Sequence, residues 1–239
     1  MKKLKDLTRA YAPVLVGLVL ITLFFAACKK DDPDYNNNVP AAGVMAFNLA
    51  PDKPAIGFTF DANRLGNLPL DYTNYTGTYL AVTPGTRVVR SAEFYTGSTI
   101  ATSSANFTDS MLYSVFLLGA NGNYRNLVVQ DDDPLVTPVA GKAWVRYINA
   151  IPDSSAPVTV TIGTGSETAP FTTVSAFRQA DAGQLAITVS NGGTINASRT
   201  IAIEENRVYT ILLSGLPGSA DPAQAVQIRF IQNGTASQQ

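Results

Sequence analysis

The sequence predicts an all-β protein: two immunoglobulin-like antiparallel β-sandwiches in tandem, preceded by a signal peptide and a flexible tether. Three observations carry this expectation. Apolar and polar residues alternate with a period of two, as where Ile56, Phe58 and Phe60 interleave with Gly57, Thr59 and Asp61, and Val158, Val160 and Ile162 with Thr159, Thr161 and Gly163. That period turns one face of a strand to a core and the other to water. Turn residues punctuate the pattern at Pro84-Gly85, Asn121-Gly122, Asn191-Gly192-Gly193 and Asn233-Gly234, where Asn and Gly accept positive φ. Finally, the chain repeats itself. Val44 to Asp52 lines up with Val145 to Asp153, each a strand followed by Asn-x-x-Pro-Asp, and Leu112 to Gly119 lines up with Val208 to Gly215.

The first segment reads as a leader. Lys2, Lys3, Lys5 and Arg9 form a basic start, Ala12 to Ala27 is an apolar run, and small residues precede Cys28, the only cysteine. At 16 residues the run is shorter than the ~20 a membrane span needs. Phe25-Ala26-Ala27-Cys28 resembles a bacterial lipoprotein lipobox. The resemblance implies a diacylglycerol thioether on Cys28, removal of the peptide before it, and a membrane lipid as partner. Lys29, Lys30, Asp31 and Asp32 resemble the export signal that carries Bacteroidota lipoproteins to the cell surface, and the Asn-rich stretch that follows suits a solvated tether. The expected boundaries are 1–27 for the signal peptide, 28–42 for the lipidated cysteine and tether, and 43–132 for the first sandwich. A linker over 133–141, a second sandwich over 142–234 and a tail over 235–239 complete the chain.

Within each sandwich, Leu112 to Leu118 and Val208 to Leu213 are apolar at nearly every position, which predicts central strands covered on both faces. Tyr113 and Tyr209 sit where a tyrosine corner would place a buried ring with its hydroxyl on nearby backbone. The strand-Asn-x-x-Pro-Asp pattern, together with Val82-Thr83-Pro84-Gly85-Thr86 and Tyr-x-Val/Ile-x-Leu, resembles the DUF4397 domain family in two copies over residues 43–232. Members of that family carry His or Ser where this chain has Asn48 and Asn149. The resemblance implies an exported sandwich fold and no defined chemistry.

Composition narrows the function. With no histidine the chain has no Ser-His-Asp or Cys-His mechanism and no imidazole metal site, and a net charge of −1 gives no footprint for nucleic acid. Asp52 and Asp153 read as turn carboxylates, and Asp131-Asp132-Asp133 as a solvated linker lacking a calcium-loop pattern. Gly163-Thr164-Gly165-Ser166 reads as a hairpin turn. Tyr79 lines up with Phe177 and is assigned to the core. Tyr72 and Tyr75 line up near Pro170 and Thr173, so they read as peculiar to the first unit. With Asn74 between them they are the candidate ligand-binding residues, suited to stacking a sugar face. Trp144 is placed at the junction of the units, and Ser110, in Asp109-Ser110-Met111, resembles a Bacteroidota O-glycosylation acceptor. The expectation is a lipid-anchored outer-membrane protein facing the cell surface, with no cofactor, metal or catalytic activity, acting as a binding, structural or adhesion module. Its partner would be a glycan or an envelope protein. Alternatives are a carbohydrate-binding accessory of glycan capture and a histidine-free glycoside hydrolase drawing on Glu93, Glu167, Glu204 or Glu205.

Overall fold

A computed structural model describes residues 39–131, 136–152 and 157–236. The leader, Cys28, Lys29, Lys30, Asp31, Asp32, Asp132, Asp133 and Asp153 lie outside the described residues. Among the described residues the regular elements are all strands. The first eight are β1 (Ala42–Asn48), β2 (Ala55–Phe60), β3 (Asn63–Asp71), β4 (Leu80–Val82), β5 (Gly85–Glu93), β6 (Thr99–Phe107), β7 (Leu112–Ala120) and β8 (Asn123–Gln130). The second eight are β9 (Lys142–Ala150), β10 (Val158–Ile162), β11 (Gly165–Ala169), β12 (Arg178–Asp181), β13 (Gly183–Ser190), β14 (Asn196–Ile203), β15 (Arg207–Ser214) and β16 (Gln227–Thr235).

The first eight strands form two four-stranded sheets, ordered β4-β1-β7-β8 and β3-β2-β5-β6. The second eight form β12-β9-β15-β16 and β11-β10-β13-β14, the same two orders with eight added to each number. Most neighbours run antiparallel, as expected. The central pairs do not: β1 lies parallel to β7, and β9 parallel to β15. An unbroken apolar run marks a strand as covered on both faces without marking its direction, so this feature was not legible in the pattern.

Three apolar cores separate four layers of sheet. Val44, Ala46, Val115 and Leu117 face Ile56, Phe58, Phe60 and Val89 inside the first sandwich. Val145, Tyr147, Ile211 and Leu213 face Val158, Val160, Ile187 and Val189 inside the second. The intervening residues of the same strands, Met45, Phe47, Phe116, Leu118, Ile148 and Leu212, form a third core where the two inner sheets lie back to back. Strand periodicity of two thus feeds one core from each face, which is why β7 and β15 read as continuously apolar.

Local devices recur in both halves. The Thr108 N–H donates to the Tyr113 hydroxyl at 3.0 Å, and the Glu204 N–H to the Tyr209 hydroxyl at 3.0 Å. Buried Asn48 donates to the carbonyls of Lys53 and Leu70 at 2.7 and 3.0 Å, and its own oxygen accepts from the Ala50 N–H. Asn149 repeats this with the Ala169 carbonyl and the Ile151 N–H. Asn121-Gly122 closes the β7–β8 hairpin with φ of 54° and 87°, as its composition predicts. Asn233-Gly234 is not a turn. It lies within β16, where the pairing with β15 slips between Val208 and Tyr209 and leaves Asn233 as an extra residue.

Gly119 and Gly215 occupy equivalent places with φ of 109° and 120°. A Cβ at Gly119 would stand 2.0 Å from the Asn123 carbonyl oxygen, and one at Gly215 2.3 Å from that of Ala225. Since the obstacle is backbone and the φ is left-handed, Gly119→Ala is expected to destabilise by more than about 1 kcal/mol, read as a lower urea midpoint at unchanged slope.

Candidate functional site

Tyr72, Asn74 and Tyr75 lie between β3 and β4, and backbone pairing sets their equivalents in the second half. The Thr73 N–H donates to the Asn48 carbonyl and the Asn48 N–H to that of Asn74; Thr172, Asn149 and Thr173 repeat both bonds. Tyr75 bridges Phe47 as Val174 bridges Ile148. Tyr72 and Tyr75 therefore correspond to Phe171 and Val174, not to Pro170 and Thr173. The pairing drifts by one residue in this loop, and sequence alignment alone does not see the slip. Tyr75, Phe171 and Val174 pack against the third core, which favours an apolar or aromatic residue at these positions.

The geometry of the two rings follows from that place. Tyr75 stacks on Phe47 with centroids 5.4 Å apart, and Phe47 stacks in turn on Phe116 at 4.7 Å. The Tyr72 hydroxyl donates to Ser214 Oγ of the second half at 3.3 Å, and burial raises its pKa above the ordinary phenol value. Asn74 is exposed. The two rings are thus engaged in joining the halves.

A buried polar cluster lies at the same junction, and it was missed from sequence. Asp131 Oδ1 stands 2.7 Å from Arg146 Nη2, with only 3% and 2% of the side chains exposed. Asp131 Oδ2 accepts from Tyr79 at 2.8 Å and from Ser114 at 2.6 Å. Arg146 donates to Ser114 at 3.1 Å and to Thr210 at 3.0 Å, and its guanidinium lies 4.6 Å from the Phe177 ring centroid. Thr210 donates to Asn233 at 2.6 Å. Asp131 is thus a buried ion-pair partner and not part of a solvated linker.

The cluster is a broken two-fold. Strand register makes Met45 the counterpart of Arg146, Ser114 of Thr210 and Tyr79 of Phe177; Asn233, which accepts from Thr210 as Asp131 accepts from Ser114, stands in the place of Asp131. Each half presents the same positions to the other, but only one carries the anion and only the other the cation. A signal was available: Arg146 stands alone among the apolar and aromatic residues Ala143, Trp144, Val145, Tyr147 and Ile148, and an arginine buried in such a run requires a partner of opposite charge. Finding which acid it meets required the tertiary structure.

The remaining candidates have definite places. Trp144 packs with Val208, Ala236, Val136 and Val139 and donates its indole N–H to the Thr137 carbonyl at 2.7 Å, so it covers the linker. Asp52 Oδ2 accepts from the Asn121 N–H at 2.9 Å and from the Tyr124 hydroxyl at 2.5 Å, tying two loops together. Ser110 is exposed with φ 63°, on the turn where Asp109 accepts from the Ala41 N–H. Glu93, Glu167 and Glu204 form ion pairs with Lys53, Arg178 and Arg207. Hydrogen bonds from Lys53 and Thr96 hold the Glu93 carboxyl below its usual range, the opposite of what a general acid needs.

Comparison with known proteins adds the following. A family model described as a domain of unknown function, DUF4397, matches residues 42–161, half of the chain. The match includes Tyr79, Ser114, Asp131 and Arg146. No curated protein matches the sequence. Among solved structures, one described as a proposed cell adhesion protein from Bacteroides eggerthii DSM 20697 is similar at 12% identity, covering 83% of this chain and 98% of that one. Its TM-score is 0.21, too low for the two chains to superpose as one arrangement.

Arg146→Met leaves Asp131 buried and uncompensated and is expected to cost about 3–5 kcal/mol in urea unfolding. Adding Asp131→Asn gives the junction the Met and Asn that stand at the counterpart positions, and the double variant is expected to recover most of that loss. A cycle that proves additive would show that the two groups do not interact.

The phenols offer a second measurement. Burial, then the charge of Asp131, raises Tyr79 above its ordinary value near 10, and burial, then Glu167, pushes Tyr147 up to about 12. The fold holds both neutral, so their contribution to stability is complete below pH 10 and is lost as pH rises through the folded-state values. Ultraviolet titration should show a delayed group of tyrosines, and Tyr79→Phe should make stability fall less steeply as pH rises above 10.

Proposed function

The chain belongs to the DUF4397 family, and we propose that it is a lipid-anchored, noncatalytic binding and adhesion module of the cell envelope. One observation carries this reading. The inner sheets are consumed by the third core, so the broad surfaces left for partners are the outer faces of β3-β2-β5-β6 and β11-β10-β13-β14. These faces carry rows of hydroxyls among their other side chains: Thr59, Thr102 and Ser104 on the first, and Thr159, Thr161, Thr168, Thr188, Ser198 and Thr200 on the second. Short hydroxyl side chains on a sheet give a flat surface that hydrogen-bonds with little loss of side-chain entropy, as contact surfaces do.

The anchoring part of the proposal rests on the lipobox-like segment ending at Cys28 and on Lys29, Lys30, Asp31 and Asp32 as a surface-export signal. Two or three acyl chains give stable attachment where one is marginal. The described chain enters β1 beside the 108–111 turn, where the Ser110 N–H donates to the Ala41 carbonyl at 2.9 Å. Exposed Ser110 would be glycosylated beside the tether. The second half, with its repeated strand order, is read as a second copy of the same family domain.

Mass analysis of protein purified from its native membrane tests these assignments together. The expected species begins at a thioether-modified, acylated Cys28 and carries a glycan lost on Ser110→Ala. A chain that keeps its leader and a free thiol would refute the anchor. Deleting the gene should reduce attachment of intact cells to their surface or to one another, and unchanged attachment would refute the adhesion reading.

A further inference from the structure

The outer face of β3-β2-β5-β6 differs from its counterpart in the second half by two arginines and an aromatic pair. Thr59 pairs with Arg64 on one side and Arg90 on the other, and Arg90 pairs with Thr102. These residues form one cross-strand row on the face opposite Phe58 and Phe60. The strands bearing the two arginines are separated by two strand spacings, about 10 Å. Arg90 donates to Thr59 at 3.4 Å and Thr99 at 3.3 Å, while Arg64 lies over the Phe94 ring at 4.6 Å. Among the described residues neither arginine has an acidic partner. The nearby acids are taken, Asp61 by Arg87 and Glu93 by Lys53.

The aromatic pair is positioned by a missing side chain. The Phe94 ring lies 3.3 Å from where a Cβ on Gly57 would be, so the glycine lets it rest closely on the sheet surface. Tyr95 meets Phe94 edge to face at 5.4 Å and is 80% exposed. Both rings stand on the β5–β6 hairpin, at the end of the sandwich opposite the 108–111 turn where the chain enters β1.

We propose that this face, at Arg64, Arg90 and Tyr95, is a docking surface for an acidic polysaccharide. Guanidinium groups pair with carboxylate or sulfate in a forked geometry, threonine hydroxyls serve sugar hydroxyls, and an exposed ring stacks on a pyranose face. Two separated cations suit a polymer that carries charge on some residues and leaves others neutral. Nucleic acid, charged at every residue, is held by a concentration of basic groups that a chain of net charge −1 does not supply here. The proposal rests on the binding-module reading and names the ligand class and the place.

The test is affinity electrophoresis of the full-length protein in detergent through gels containing polygalacturonate, its methyl-esterified form, chondroitin sulfate, dextran or oligo(dT). Retardation is expected with polygalacturonate or chondroitin sulfate, weakening with added salt, and absent with the ester, dextran and oligo(dT). Arg64→Gln combined with Arg90→Gln should weaken it roughly tenfold or more. Tyr95→Ala, a fully surface change, should weaken it with no change in thermal unfolding. Arg64→Lys should retain more binding than Arg64→Gln. Retardation by the neutral polymers or by oligo(dT) at comparable strength, none by the acidic ones, or an equal response of wild type, the double arginine variant and Tyr95→Ala would overturn the proposal. Those outcomes, with the deletion strain still defective in attachment, would fail the site and leave the adhesion reading standing.

Discussion

The arrangement depends on one buried ion pair. Arg146 and Asp131 are drawn out of water by the third core, and a charge so placed is tolerated only with its partner and its remaining hydrogen bonds in position. Ser114, Thr210 and Tyr79 provide those bonds, so the pair reads out the alignment of β7, β9 and β15 simultaneously. Apolar packing between two flat inner sheets is indifferent to small slides. A directional charged cluster is not, and it selects one register between the halves.

The junction is a repeat joined to itself with its symmetry broken. In a two-fold contact position i of one copy meets position j of the other and j meets i, so two identical copies would make every contact twice. Here Met45 stands in place of Arg146 and Asn233 in place of Asp131, so the ion pair forms once and neutral groups occupy the equivalent positions. The family match ends at residue 161, beyond β9, so it contains both members of the ion pair although they belong to different sandwiches.

Covering the inner sheets also assigns roles to the outer ones. A sheet face that buries a core on one side and meets water on the other is free to vary on the wet side. The two outer faces have varied differently: the second is rich in hydroxyls, while the first adds Arg64, Arg90 and the Phe94–Tyr95 pair. The tyrosines singled out by composition, Tyr72 and Tyr75, went to the junction instead. Tyr95 attracted no notice in the sequence because nothing local distinguishes a ring lying on a sheet from one buried beneath it.

Local rules determined much of this protein. Alternation at a period of two, Asn and Gly at turns, and the matched segments around Asn48 and Asn149 set the all-β class, the hairpins and the repeat, because each is enforced between residues a few positions apart. The unbroken runs at β7 and β15 even announced strands covered on both faces. Tertiary structure decided the rest: the parallel pairing of β1 with β7, the one-residue slip that equates Tyr75 with Val174, the place of Asn233 in a bulge, and the partner of Arg146. Each depends on which strands meet across long separations, and a side-chain pattern records that a face is buried without recording what buries it.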